Sequence, residues 1–292
     1  DWWKNIDKYI LFLILGLFCL GLFFSLVSTS LLASDKLNTN SYYFFLKHLI
    51  FIIIGIIALL FFSFLNQKYL LKISIILFFI SFLSLVLVPF FGVEIKGSKR
   101  WLDLFIFPRF QPIEILKPFF VIIIATILTL GNKKLYLKYF FSALVLITIL
   151  LFLIYQPDLG QTLLLTMAWL ALVFVSGINI LLFFSFFLTA GFIVTYLIIF
   201  VPKFEYIKIR LLSFMDSTSG NNYQAEKAND AIINGGFFGK GIGEGKLNSR
   251  VPEAHTDYIV SVISEEFGAI IVIGILFLYL ILSYKVIQKI NL

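Results

Sequence analysis

The segment YFFLKHLIFIIIGIIALLFFSF (Tyr43 to Phe64) is one of eight apolar runs of about 20 residues, and their recurrence decides most of what this chain can fold into. A helical run of that length, rising about 1.5 Å per residue, crosses the ~30 Å hydrocarbon core of a bilayer. No water reaches the backbone there, so each run must close its own hydrogen bonds as a helix. The alternating ten-residue pattern of barrel strands is absent. The expected spans are 9–31, 43–65, 69–91, 112–130, 136–155, 160–176, 178–201 and 257–284. Thirty-six Phe residues could not be hidden in a soluble core made from 292 residues. The expected fold class is therefore an all-α polytopic membrane protein, a single membrane domain over 1–292 with one large loop at 202–256.

Cys19, the one cysteine, sits inside the first run, which rules out an internal disulfide and any cysteine-based metal cluster. That run is too long for a cleaved signal peptide and has no small-residue cleavage site behind it, so it is expected to stay. No internal repeat is visible, which speaks against an inverted-repeat transporter.

Lys and Arg set the orientation. Lys4, Lys8, Lys68, Lys72, Lys133, Lys134, Lys138, Lys285 and Lys289 fall on one side, faced only by Asp1 and Asp7. That side carries +7, the net charge of the whole chain. It is expected in the cytoplasm together with both termini. Three polar segments then lie outside, at 92–111, 156–159 and 202–256, where ATP-driven chemistry is not expected.

The first of these leads into a helix at Gln111-Pro112, because Pro at the first helical position loses no hydrogen bond and Glu114 complements the positive helix end. Gln111, Glu114, Lys117 and Pro118 follow at helical spacing. Lys117 lies a turn inside the apolar span, where it either snorkels to the interface or pairs with a carboxylate such as Glu114. Arg100 and Trp101 precede it, as an anion site or as ordinary lipid-headgroup contacts. In YQPDLGQT, Asp158 reads first as a helix cap.

The long loop contains YQAEKANDAIING, an amphipathic helix closed by glycines. Its glycine-rich continuation matches no phosphate-loop pattern. It ends in VPEAHTDYIVSVISEEFG, where Asp257, Ser261, Ser264 and Glu265 are spaced as one polar stripe, with Ile259, Val260, Val262 and Ile263 left for lipid or neighbouring helices. Two readings stay open for Asp257 and His255: caps that pair with loop cations, or a general base at a hydrated cavity rim. Two His in the whole chain cannot make a histidine metal cluster.

GSKRWLDL with FQPIEILKP, QPDLGQT, YQAEKANDAIINGGFFGKGIGEGK and PEAHTDYIVSVISEEFG together resemble the FtsW/RodA (SEDS) family of cell-wall glycosyltransferases, in order, spacing and membrane side. The glycine-rich run is more similar to the division branch than to the elongation branch. The resemblance implies a ten-helix enzyme that polymerises lipid II at the outer face of the cytoplasmic membrane. It implies a class B penicillin-binding protein and divisome regulators as partners, and no nucleic acid. By the same resemblance Asp257 is the residue tied to activity, and Trp101 and Lys117 are site residues. Ile113 departs from the family's usual Ser, MDSTSGNNYQ lacks the family's prolines, and eight spans in place of ten imply that the last two helices are missing.

The combined expectation makes Asp257 the general base that takes the proton from an acceptor sugar 4-hydroxyl. Arg100, Lys117 and Arg210 would stabilise the departing pyrophosphate, Glu114 would hold Lys117, and His255 and Glu265 would complete the substrate contacts. A divalent cation, Mg or Mn, is the one cofactor this chemistry would accommodate. The competing reading is a lipid II flippase or transporter using the same polar groups for passage.

Overall fold

The computed structural model describes residues 2–26, 42–95, 98–103, 109–131, 134–205, 208, 223–251, 254 and 257–290. The all-α expectation is borne out. The α-helices are α1 (Trp2–Asn5), α2 (Lys8–Phe24), α3 (Tyr43–Phe64), α4 (Gln67–Phe91), α5 (Pro112–Thr129), α6 (Leu135–Tyr155), α7 (Leu159–Val175), α8 (Ile180–Phe200), α9 (Tyr223–Gly235), α10 (Ile259–Phe267) and α11 (Ala269–Ile290). One antiparallel hairpin, β1 (Gly92–Ile95) with β2 (Ser98–Leu102), interrupts them. Among the described residues, six helices are long and apolar enough to cross a membrane; α2 and α7 are shorter apolar helices. Each of the eight apolar runs thus contains a helix among its described residues.

Two departures concern the ends of runs. The eighth expected span, 257–284, is broken at Gly268, so the helix of spanning length is α11 and the preceding nine residues form the separate α10. Gly268 has φ +88°, and a Cβ there would collide with the Phe237 carbonyl oxygen and the Gly239 nitrogen. The backbone of the 236–239 loop passes too close for any other residue. The hairpin is the second departure. A lone two-stranded ribbon is marginal, and this one is extended by the Leu102–Phe110 bridge at its base, with hydrogen bonds of 3.0 and 3.2 Å.

The chain divides into two compact units, Asp1–Phe64 with Ser213–Leu292, and Leu65–Leu212. In the first, α2 packs on α3 and α11, and α10 packs on both α9 and α11. Asp7 caps α2 by accepting from the Tyr9 and Ile10 amides at 3.1 and 3.2 Å. Its other oxygen lies 3.9 Å from Lys289 Nζ near the end of α11, and Lys285 stands 5.6 Å over the Tyr9 ring. The N-terminal segment and the end of α11 therefore share one end of this unit. At the opposite end of α2, the Phe23 and Phe24 rings meet Phe267 at 5.8 and 5.3 Å.

In the second unit α4, α5, α6 and α7 pack against one another, α8 lies on α7, and the hairpin sits at the ends of α4 and α5. Leu85, Val88, Leu116, Phe120, Ile124, Ile149 and Leu153 are fully buried there. Trp169 Nε1 donates to Ser142 Oγ at 3.1 Å and Gln156 Nε2 to the Leu85 carbonyl at 3.4 Å, so these two buried donors are satisfied across helices. The membrane windows of α8 and α11 bury nothing inside the chain, as suits helices whose apolar faces meet lipid.

Candidate functional site

In the second unit a row of polar side chains runs from the hairpin to the first turns of α5 and α7. Arg100, on β2, donates from its guanidinium to the Pro157 carbonyl at 2.5 Å and to the Gln156 carbonyl at 3.3 Å, and its Nε lies 3.7 Å from Asp158 Oδ2. Gln111 Nε2 donates to the same Oδ2 at 3.2 Å. Asp158 Oδ1 caps α7 by accepting from the Gln161 amide at 3.4 Å. The Gln161 side chain crosses to α5 and donates to Glu114 Oε1 at 2.7 Å, while Glu114 Oε2 pairs with Lys117 Nζ at 2.6 Å. Arg100, Asp158, Gln161, Glu114 and Lys117 thus form one connected chain.

Burial is uneven along this chain. The Asp158 side chain is 8% exposed, while Glu114 is 49% and Lys117 24% exposed. The Lys117–Glu114 pairing is the one expected from their helical spacing, and of the two readings of Lys117 it excludes the unpaired snorkel. The Asp158 cap is also as expected. Its second role, as counter-charge to Arg100 across 58 residues of chain, leaves no local sequence signal. Arg100 is thereby largely committed to the α6–α7 turn. Gln161 has a local signal: it stands three residues after a capping Asp, the capping-box position, although its side chain turns to Glu114 instead. Trp101 is half-buried on β2, opposite Val93.

The first unit holds a different construction. Glu265 is wholly buried and takes four donors: the Asn234 side-chain amide at 2.9 Å and the Lys246 and Leu247 backbone amides at 3.0 and 2.9 Å on Oε1, and the Asn248 amide at 2.6 Å on Oε2. Glu266, also buried, accepts from Asn248 Nδ2 at 3.2 Å. The glycine-rich loop lies directly on the end of α10, with Lys240 and Gly241 amides donating to the Glu265 and Glu266 carbonyls at 2.9 and 3.0 Å. A Cβ on Gly239 would strike the Glu266 carbonyl. Gly235 and Gly239 thus serve close backbone packing against the end of α10.

The polar stripe expected along 257–265 takes another form. Ser261, Ser264 and Glu265 are buried, but so are Val262 and Ile263, which had been assigned to lipid or neighbouring helices. Val262 joins Ala228, Ala231, Val251 and Ala254 in a small apolar core under α9. Val262 and Ile263 thus take the neighbouring-helix alternative, while Val260, half exposed, keeps an outward face. Asp257 lies in the turn before α10, exposed, with no hydrogen-bond or ion-pair partner among the described residues. Arg210 and His255 lie outside the described residues. No group of three or more His, Cys, Asp or Glu side chains suited to a metal ion comes together among the described residues.

The family model for FtsW, RodA and SpoVE, described as "Cell cycle protein", matches residues 8–291. The chain belongs to this family. A FtsW/RodA/SpoVE relative in Buchnera aphidicola subsp. Acyrthosiphon pisum, named a probable peptidoglycan glycosyltransferase FtsW, is 33% identical over 289 residues, covering 96% of this chain and 70% of its own. Thermus thermophilus rod shape determining protein RodA superposes with a TM-score of 0.64 at 23% identity, over 97% of this chain and 74% of that one. A chain from a structure on coordination of polymerization and crosslinking by a peptidoglycan synthase complex gives 0.71 at 24%, over 96% and 77%. The family resemblance carried by the four motifs is therefore borne out, and so is the multi-pass membrane architecture.

Proposed function

We propose that this chain is a peptidoglycan glycosyltransferase that polymerises lipid II at the outer face of the cytoplasmic membrane during division. Membership of the FtsW/RodA/SpoVE family and the naming of its relatives support the reaction class. The observation that carries the catalytic assignment is the contrast among the carboxylates of DYIVSVISEE. Glu265 and Glu266 are buried and hold hydrogen bonds inside the protein, whereas Asp257 is exposed and unengaged among the described residues. A general base needs an accessible oxygen with spare accepting capacity.

In this reading Asp257 takes the proton from the acceptor 4-hydroxyl, whose oxygen attacks the anomeric carbon of the donor glycan. The bond from that carbon to the pyrophosphate oxygen breaks with inversion, and undecaprenyl pyrophosphate departs with the electron pair. Lys117, oriented by Glu114, is the candidate for stabilising the charge that grows on the leaving group. Arg100 contributes less directly, by fixing the α6–α7 turn from which Gln161 reaches Glu114. The described residues bring together no cluster of metal ligands, so a divalent cation would have to be held by the pyrophosphate oxygens themselves. The charge asymmetry supports cytoplasmic termini. The similar chain from a peptidoglycan synthase complex that coordinates polymerization and crosslinking supports a crosslinking partner, which this reading takes to be a class B penicillin-binding protein.

The test is polymerisation of fluorescent lipid II by the purified chain with a transpeptidase partner, read as lysozyme-sensitive polymer. Asp257→Asn is expected to abolish polymer while the protein elutes as a folded species. Full polymer yield from this variant refutes the assignment, and slowed lipid translocation with intact polymerisation favours the transport reading.

A further inference from the structure

Two adjoining grooves on the second unit share a wall. The larger, about 380 Å³, lies between α4, α5 and α6, with Phe78, Phe82 and Ile123 among its lining. The smaller, about 250 Å³, continues from Ile127, Leu144 and Val145, which line both, to Leu130 and Lys138. The larger volume falls within the ~300–1,000 Å³ of ordinary ligand sites. Its two hydroxyls, Thr126 and Thr148, donate back to the Ile122 and Leu144 carbonyls at 2.7 and 2.8 Å, so the surface offered to an occupant is hydrocarbon. At the far end Lys138 is half-buried, and its ammonium has no acceptor among the described residues. Lys134 is exposed one turn earlier, at the start of α6.

An apolar channel ending at an unmatched cation selects an amphiphile with an anionic head. A cation beside hydrocarbon is costly without counter-charge, and the chain supplies none there among its described residues. Length selects further. Along α6, Lys138 to Ile149 spans about 16 Å, close to half of the ~30 Å hydrocarbon core. That is the depth of one leaflet. An acyl chain needs only one leaflet, whereas a helix from a partner protein would need the whole thickness. Lys68, Lys72, Lys134 and Lys138 also belong to the basic side of the sequence, and basic pockets between helices on the cytoplasmic side suit lipid phosphates.

We propose that this groove binds an anionic phospholipid of the bilayer, with one acyl chain lying along Phe82 and Val145 and the phosphate on Lys138. A third groove of about 280 Å³, between α6, α7 and α8, serves as an internal comparison, because its lining, which includes Ala143, Ala190 and Phe186, contains no charged residue. It can hold an acyl chain but cannot prefer an anionic head.

Native mass spectrometry of the chain released from nanodiscs of equal phosphatidylglycerol and phosphatidylethanolamine tests the proposal without using enzymatic activity. Wild type is expected to retain phosphatidylglycerol preferentially. Lys138→Gln should cut that preference about fivefold, the worth of one Lys near an anionic surface, and leave phosphatidylethanolamine unchanged. Val145→Trp should reduce retention by filling the shared wall, and Ala190→Trp in the uncharged groove should leave the preference intact. Wild-type preference in Lys138→Gln overturns the proposal, as does an equal loss in Ala190→Trp. Because lipid retention is read directly, failure here and failure of the glycosyltransferase reading are separate outcomes.

Discussion

Glu265 in the first unit and Glu114 in the second are both carboxylates placed beside apolar helices, yet they have opposite uses. Glu265 is wholly buried and its oxygens face four N–H donors from 234 and 246–248. Glu114 is half exposed and holds one amide and one ammonium at the end of a polar chain. Buried charge survives only when hydrogen bonds saturate it, and a saturated carboxylate has nothing left for a substrate. Spare hydrogen-bonding capacity, not mere presence in a polar motif, separates a structural acid from a chemical one. By that criterion Glu265 builds the platform, and Asp257 and the Glu114–Lys117 pair remain available for chemistry.

The comparison is broken most severely at Glu265. Glu265→Ala leaves three backbone amides and the Asn234 amide buried without their acceptor, and is expected to cost about 3–5 kcal/mol. Thermal unfolding in detergent, together with protease cleavage within 236–250, should report it. Polymer yield should fall with the folded fraction and no further. A variant as stable as wild type would remove Glu265 from its structural role and reopen it as a substrate contact.

This distinction was not readable from the chain alone. The spacing of Asp257, Ser261, Ser264 and Glu265 placed polar groups along one short helix and the turn before it. It could not show that Asn234 and Lys246 to Asn248, 17 or more residues away, would close over Glu265. The apolar runs were legible because the bilayer imposes length and backbone closure on each run independently of its neighbours. The break at Gly268 was not, because it depends on the 236–239 backbone crossing there. Similarly, the helical spacing of Glu114 and Lys117 made their ion pair legible. The bond from Arg100 to Asp158 joins a hairpin to an interhelical turn, a tertiary event with no periodicity to betray it.

A middle case sharpens the contrast. Asp158 is nearly buried but has mixed duties, capping α7 and facing Arg100 and Gln111. Asp158→Ala is expected to cost about 0.5–2 kcal/mol through the lost cap, visible as a lowered unfolding midpoint. Activity should drop further than stability alone requires, because the turn that aims Gln161 at Glu114 is loosened. Asp158→Asn keeps a capping oxygen, so it should recover most of the stability and less of the activity. Equal recovery of both would make Asp158 purely structural.

The smallest effect on stability, and the most telling, is expected at Lys117. Its pair with Glu114 is partly exposed, and such pairs contribute about 0–1 kcal/mol after solvent screening. Lys117→Met keeps the length of the stem and its packing on α5 while removing the charge, so the unfolding midpoint should hardly move. If the ammonium meets charge developing on a leaving pyrophosphate, polymerisation should nevertheless fall about a hundredfold, mainly in kcat, because stabilisation confined to the transition state leaves substrate affinity little changed. Glu114→Gln should give a milder loss of the same kind, since the amide can still accept from Gln161 but no longer orients the ammonium by charge. A Lys117→Met protein that polymerises at the wild-type rate would leave the exposed pair as idle as the buried carboxylate is busy, and spare hydrogen-bonding capacity would no longer mark the working groups of this fold.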